Sequence, residues 1–139
     1  MGMAGRFGPA QDEPDAAAVR KLIRRASYVC TSAWAIAEVN CVFHWHVREG
    51  SLSLAQGQEL MRVFRSHVQD DRWNLIRVSQ GLLGRTATLV RALPFQVPLR
   101  AGDAIHLAAA LEVGEQEVWT NDRHLLAAAP HAGLVGRSV

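Results

Sequence analysis

The sequence predicts an α/β domain in which a mostly parallel sheet is covered by helices on both faces. Short apolar segments of strand type alternate with longer segments whose apolar residues recur at helical spacing, and this alternation is typical of parallel sheets. Apolar residues make up 49% of the 139 residues, which is enough for the core of one such three-layer domain. Parallel sheets of this kind carry their functional sites at the carboxyl ends of the strands.

The amino-terminal segment, residues 1–12, shows no period and contains three glycines and one proline. We therefore predict that residues 1–12 are irregular and that the folded domain comprises residues 13–139. Glu13-Pro14-Asp15 has the composition of a helix start, and apolar residues continue at helical spacing to Ala26. Since open sheets of this size usually begin with a strand, the first strand is expected to be missing or irregular. Ala4–Phe7 is poor strand material because it contains glycine.

Four short apolar segments further along the chain are predicted to be strands: Ser27–Thr31, Trp73–Val78, Glu117–Thr120 and Leu134–Val135. Five helices are expected between them, at about residues 33–48, 53–68, 80–93, 103–112 and 122–129. Serines are expected to cap three of these helices: Ser32, Ser79, and Ser53 in a capping box with Gln56. Three other residues are expected to end helices: Gly50, Gly114 and Pro130.

Glu38 is the first of three acidic residues that stand apart from the other charges. It is expected in the middle of its helix, and its neighbours at three and four residues are all apolar: Trp34, Ala35, Cys41 and Val42. A carboxylate on such a face is either half-buried or directed into a cleft, where it requires a partner, a proton or a metal ion. The alternative is that the helix turns Glu38 towards solvent, and the sequence leaves both interpretations open.

Asp103 and Asp122 each stand at the expected start of a helix. The ordinary interpretation of both is a helix cap or a first-turn acid. Asp122 also follows a strand directly, and the helix that contains Asp103 is apolar on most sides and therefore buried. His106 lies three residues after Asp103 on the same face, so a hydrogen bond between them is expected, with a structural role favoured over catalysis.

Composition limits the remaining classes of function. The formal charge of +2 and the pI of about 8.9 permit contact with RNA without requiring it. Cys30 and Cys41 are expected to be reduced thiols, and no segment reads as a signal peptide or a membrane span, so a cytoplasmic protein without membrane association is expected. A phosphate-binding glycine loop and a Gly-x-Ser-x-Gly elbow are both lacking.

Three segments resemble the PIN domain family, in particular the VapC toxins of bacterial toxin–antitoxin pairs. The segments are Thr31-Ser32 through Ala37-Glu38-Val39, then Leu99-Arg100-Ala101-Gly102-Asp103-Ala104-Ile105-His106-Leu107-Ala108, and then Trp119-Thr120-Asn121-Asp122. The second segment is the most specific, and the Thr-x-Asp after a strand is the next. The order and spacing also fit, and the resemblance covers about residues 12–139.

The resemblance implies a fold, an activity and a site. The fold is a PIN-like α/β/α domain, and the activity is hydrolysis of RNA that depends on Mg²⁺ or Mn²⁺, ions that favour carboxylate and water oxygens. By resemblance the ligands, which are also the catalytic residues, are Glu38, Asp103 and Asp122. Three further residues would orient these ligands or their waters: Ser32, Thr120 and Asn121.

The sequence departs from the family pattern at its start. PIN domains normally open with a strand that ends in an aspartate, which is a principal metal ligand. Here the equivalent position falls near Ala4 or Gly5, neither of which has a side chain that binds metal. One negative charge fewer weakens the hold on a divalent ion. A misassigned start and decay of the gene each explain the difference, and the sequence does not separate them.

Three functions are therefore compared. The first is an endoribonuclease toxin, which by resemblance forms a homodimer and pairs with a VapB-like antitoxin. The second is a catalytically impaired PIN-like remnant that acts only as a dimerisation and antitoxin-binding module. The third is an unrelated α/β domain whose three acids are all helix caps and which binds no metal.

Overall fold

The computed structural model describes Gly2–Met3 and residues 16–26 and 28–139. Strands within these residues form one sheet: β1 (Gly2–Met3), β2 (Cys30–Ser32), β3 (Asn74–Ile76), β4 (Glu117–Trp119) and β5 (Val135–Arg137). The helices are α1 (Ala16–Arg25), α2 (Ala35–Arg48), α3 (Leu54–Gln69), α4 (Gln80–Ala92), α5 (Ala101–Glu112) and α6 (Arg123–Ala128), and a short 3₁₀ helix follows at Ala129–Ala132. The predicted α/β class is confirmed.

The strand order in the sheet is β3-β2-β1-β4-β5, and every pairing is parallel. Right-handed crossovers place the helices that lead from β1 to β3 on one face, and those that lead from β3 to β5 on the other. The result is three layers, with the helices α1, α2 and α3 opposite α4, α5 and α6. All five strands end at one edge of the sheet, which is called the carboxyl edge below.

The first strand, expected to be missing or irregular, is present and very short. β1 consists of two residues, yet it lies in the centre of the sheet, where Gly2 pairs with Cys30 of β2 and with Val118 of β4. Two residues carry no alternation of polar and apolar side chains, so the pattern along the sequence gives no signal for them. Ala4–Phe7, the other candidate for this strand, lies outside the described residues.

Gly2–Met3 belong to the same sheet as the rest of the domain. The start of the folded domain at residue 13 stays a prediction. The segment predicted to start the first helix, Glu13-Pro14-Asp15, lies outside the described residues. The helix itself is confirmed as α1, which ends at Arg25.

Two of the three predicted serine caps are confirmed. Ser53 and Gln56 form the capping box of α3, and the Ser79 hydroxyl accepts a hydrogen bond from the Leu82 amide at 3.1 Å. The predicted cap at Ser32 is wrong, because Ser32 is the last residue of β2 and is buried. α2 begins three residues later, at Ala35.

The core is continuous through α5, whose residues from Ala104 to Ala110 are all buried. One apolar cluster joins α5 to β4 and α6 through Leu107, Val118 and Leu125. A second cluster joins α5 to β2 and α4 through Ile105 and Leu82. α5 therefore has a fixed position on the sheet, and any polar side chain that it carries at its amino end is fixed with it. Within the described residues, no helix is long and apolar enough to cross a membrane.

Candidate active site

The helices α2, α5 and α6 begin at the carboxyl edge of the sheet. α2 and α6 follow the ends of β2 and β4, and α5 runs antiparallel to the strands, because it leads back to the start of β4. Each helix carries one of the three predicted acids at its amino end: Glu38 in the first turn of α2, Asp103 in the first turn of α5, and Asp122 as the N-cap of α6. Glu38 was expected in the middle of its helix, but it lies in the first turn. The amino ends of helices favour negative charge.

Asp122 is held by the backbone around it. Its Oδ1 atom accepts hydrogen bonds from the amides of His124 at 2.8 Å and Leu125 at 3.1 Å. The Thr120 hydroxyl accepts a hydrogen bond from the amide of Asp122 at 3.0 Å. The ordinary interpretation of Asp122 as a helix cap is therefore correct, and the same bonds fix its carboxylate at the carboxyl edge.

Asp103 is half-buried, and no hydrogen bond to its side chain is found within the described residues. Burial raises the pKa of its carboxyl group, and the negative charges of Asp122 and Glu38 raise it further, against opposing effects of His106 and Arg100. Asp103 is thus electrostatically coupled to both of the other acids.

Glu38 is connected to the core of the domain by a buried histidine. His106 is 6% exposed, and its Nε2 atom is hydrogen-bonded to Oε1 of Glu38. Its Nδ1 atom lies 3.0 Å from the Ser32 hydroxyl and 3.4 Å from the Thr31 hydroxyl, at the carboxyl end of β2. The expected hydrogen bond from His106 to Asp103 is thus replaced by one to Glu38. The structure has the Glu38 side chain half-exposed, with a partner on its inner side.

The first turns of α2 and α5 lie against each other at Gly102. A Cβ atom at this position would lie 2.8 Å from Nε1 of Trp34 and 3.3 Å from Oε2 of Glu38. The lack of a side chain therefore allows this close approach of the two helices. Sequence reasoning did not single out Gly102 or the His106–Glu38 contact, although a glycine inside the first turn of a helix is an available signal of close packing.

The three residues predicted to orient the acids are placed differently from one another. The Ser32 hydroxyl contacts His106, which is in turn hydrogen-bonded to Glu38. Thr120 contacts the backbone of Asp122 directly. Asn121 accepts a hydrogen bond from the amide of Val139 at 3.2 Å, which connects the end of β4 to the segment after β5. Their roles towards a metal ion stay predictions.

The donor set at this edge suits a hard divalent cation, because it consists of carboxylates from three separate elements. In the part of the chain that the structure describes, however, no three His, Cys, Asp or Glu side chains are close enough together to hold an ion as they stand. The chemistry of the residues therefore fits a metal ion, and their present spacing does not complete a site. The ligand roles of Glu38, Asp103 and Asp122 stay predictions.

A family model described as the PIN domain matches residues 8–130. The chain belongs to the PIN domain family. PIN domains are generally nucleases, so a nucleic acid is the class of substrate that the family indicates. A search of curated proteins finds no match. The membership excludes the third function considered above, an unrelated α/β domain.

Proposed function

We propose that this PIN domain is an endoribonuclease that depends on Mg²⁺ or Mn²⁺, and that it is the VapC-type toxin of a toxin–antitoxin pair. The proposed ligands are Glu38, Asp103 and Asp122. The observation that carries the proposal is the position of these acids at three helix amino ends on one edge of the sheet, where Asp103 is coupled to both of the others. The general nuclease activity of the family supports phosphodiester hydrolysis.

The three acids have distinct parts in this proposal. Asp122 is fixed by backbone amides and Glu38 by His106, so their carboxylates are held before any ligand binds. The negative charges of Asp122 and Glu38 raise the pKa of Asp103, and a cation bound among the three carboxylates would offset this repulsion. When bound, the ion would polarise the scissile phosphate and acidify the attacking water.

Exposed arginines flank the same edge and suit a phosphate backbone. Arg77 follows the end of β3, Arg100 precedes α5, and Arg123 follows Asp122. Guanidinium groups bind phosphate oxygens in pairs of hydrogen bonds, and they hold RNA by charge without reading its sequence. We expect these side chains to hold RNA beside the acids, and we expect the binding to weaken as the salt concentration rises.

The test uses isosteric variants of the three acids: Glu38→Gln, Asp103→Asn and Asp122→Asn. Asn at position 122 can still cap α6, so the variant removes charge and keeps the helix start. Mn²⁺ binding is measured by calorimetry, and cleavage of labelled RNA is measured with Mg²⁺ or Mn²⁺ and with chelator. We expect saturable Mn²⁺ binding by the wild type, and a loss of more than about tenfold in affinity, about 1.4 kcal/mol, in each variant.

The matched control is Asp71→Asn, which makes the same change before the start of β3, away from the carboxyl edge. Asp71 has a φ of +52°, a conformation that Asn adopts readily, so the control should fold. It should bind Mn²⁺ and cleave RNA like the wild type. RNA cleavage that persists unchanged in Asp103→Asn would contradict the proposal.

A second candidate is a PIN-like remnant that no longer cleaves RNA and acts only as a dimerisation and antitoxin-binding module. The observation that favours it is that no three acids of the described residues converge as metal ligands. It predicts a folded protein that binds no Mn²⁺ and shows no chelator-sensitive cleavage. Robust cleavage that chelator abolishes would exclude it.

Both candidates include a homodimer and a VapB-like antitoxin as partners. The apolar side chains of Leu83 and Val90 are exposed on α4, and Phe95 is exposed in the loop that follows. Exposed apolar side chains on one helix face suit a protein partner. Sedimentation of the purified chain, alone and with a VapB-like protein, would test both partners.

A further inference from the structure

His106 is a buried polar side chain that joins three elements of the site. It is carried by α5, it contacts the hydroxyls at the end of β2, and it is hydrogen-bonded to Glu38 of α2. Buried polar groups of this kind require partners, and His106 has one at each ring nitrogen. Packing alone would require neither contact.

The direction of the hydrogen bond to Glu38 follows from the chemistry of the carboxylate. An ionised carboxylate accepts hydrogen bonds and donates none, so Nε2 of His106 carries the proton. Nδ1 then faces the hydroxyls of Ser32 and Thr31, two residues that are 1% and 2% exposed at the carboxyl end of β2. The imidazole is therefore fixed at one end by β2, and its other end presents an N–H group to Glu38.

The second oxygen of the Glu38 carboxylate lies against the first turn of α5. Its Oε1 atom is bonded to His106, and its Oε2 atom lies beside the backbone of Gly102, next to Asp103 in the sequence. The hydrogen bond at Oε1 restricts the rotation of the Glu38 carboxylate. In this arrangement Oε2 faces the first turn of α5 at Gly102.

We propose that His106 is a positioning residue that orients Glu38 for metal binding. It holds Oε1 and so presents Oε2 towards the first turn of α5, where Asp103 lies. The inference rests on the proposed function, because the expected change in metal affinity requires Glu38 to be a metal ligand. The hydrogen bond itself is a property of the protein without metal. Residues that orient ligands in this way typically change metal affinity by about 10–100-fold when they are replaced.

The first experiment compares two amide replacements of His106. The side-chain nitrogen of Gln reaches the position of Nε2, whereas the shorter Asn reaches only that of Nδ1. We expect His106→Asn to weaken Mn²⁺ binding about 10–100-fold, and His106→Gln to recover most of the loss. Equal losses in both variants, with thermal unfolding showing both folded, would assign His106 a packing role and overturn the proposal.

The second experiment asks whether His106 acts through Glu38. In a Glu38→Gln background, His106→Asn should cause little further loss of Mn²⁺ affinity, because the group that it positions is already changed. Losses that add in full would overturn the proposal. Folding of each variant is checked by circular dichroism.

The third experiment needs neither metal nor a variant of His106, and so separates this inference from the proposed function. Nitrogen-15 spectra of the imidazole should show the proton on Nε2 in the wild type, with a clear shift of that signal in Glu38→Gln. An unprotonated Nε2, or a signal that Glu38→Gln leaves in place, would overturn the positioning role. A wild type that shows the expected signal and binds no Mn²⁺ would overturn the metal-dependent function and support the positioning of Glu38.

Discussion

The ionised side chain of Asp103 lowers the stability of the folded protein. Its carboxylate is half-buried, and its charge is opposed by those of Asp122 and Glu38. The ionised form is therefore less favourable in the folded protein than in the unfolded chain. Sites that bind charged ligands commonly carry such a cost, and removing it stabilises the protein at the expense of function.

We therefore predict that Asp103→Asn stabilises the metal-free protein at about pH 7, by a modest amount because solvent screens part of the repulsion. The pKa of Asp103 is raised on folding, so stability falls as pH rises through the window between the unfolded and the folded pKa. Below that window Asp103 is protonated in both states. The advantage of the variant should accordingly shrink as pH falls below the raised pKa and disappear below the unfolded pKa.

Urea unfolding in the presence of chelator, at several pH values, measures this difference. Asp71→Asn is the control, because it makes the same change at an exposed position away from the other two acids. An Asp103→Asn variant that is less stable than the wild type at neutral pH would contradict the electrostatic account.

At the scale of elements, the contact between α2 and α3 depends on one small residue. Gly57 of α3 is buried against α2, and a Cβ atom there would lie 2.4 Å from Cγ2 of Val47. Valine has little freedom to move this atom, because its side chain is restricted in a helix. Gly84 of α4, by contrast, has nothing within 4 Å of the position that a Cβ atom would take.

The same substitution should therefore have opposite effects at these two positions. Gly84→Ala should stabilise the protein by about 0.5–1 kcal/mol, because alanine favours the helix. Gly57→Ala should destabilise it by about 1–3 kcal/mol, because the gain in helix propensity is smaller than the cost of overpacking against Val47. Thermal or urea unfolding of both variants measures the contrast. If both variants were more stable than the wild type, helix propensity and not packing against Val47 would control the effect at position 57.

At the scale of the whole molecule, the sheet depends on its shortest strand. β1 has two residues, and it separates β2 from β4. Because it has neighbours on both sides, its backbone groups are directed towards partner strands and not towards solvent. Among the described strands, β1 therefore joins the half of the sheet next to Glu38 to the half next to Asp122.

We predict that Met3→Pro destabilises the domain by about 1–3 kcal/mol or more, because it removes a backbone donor from a central strand. Met3→Leu is the control, since it keeps the backbone N–H. Urea unfolding followed by circular dichroism measures both. If proline at position 3 leaves the unfolding midpoint unchanged, the pairing of β1 contributes nothing to stability.

The predictions that were confirmed depend on residues close together in the sequence. The Ser53–Gln56 capping box and the Ser79 cap were predicted correctly, because a cap joins atoms three residues apart. The alternation of strands and helices gave the fold class for the same reason. Ser32 was assigned wrongly as a cap, because the extension of β2 to Ser32 depends on its pairing with Ile76 of β3.

The sequence by itself determined the α/β class and most helix boundaries, because these depend on local spacing. It also singled out the three acidic residues by their chemistry, and their roles stay predictions. Only the tertiary structure decided that Gly2–Met3 form the central strand and that His106 is bonded to Glu38. It also decided that Asp103 is coupled to Glu38 and Asp122. Each of these involves residues far apart in the chain. Their contacts arise from how the strands are ordered in the sheet, which local spacing does not encode.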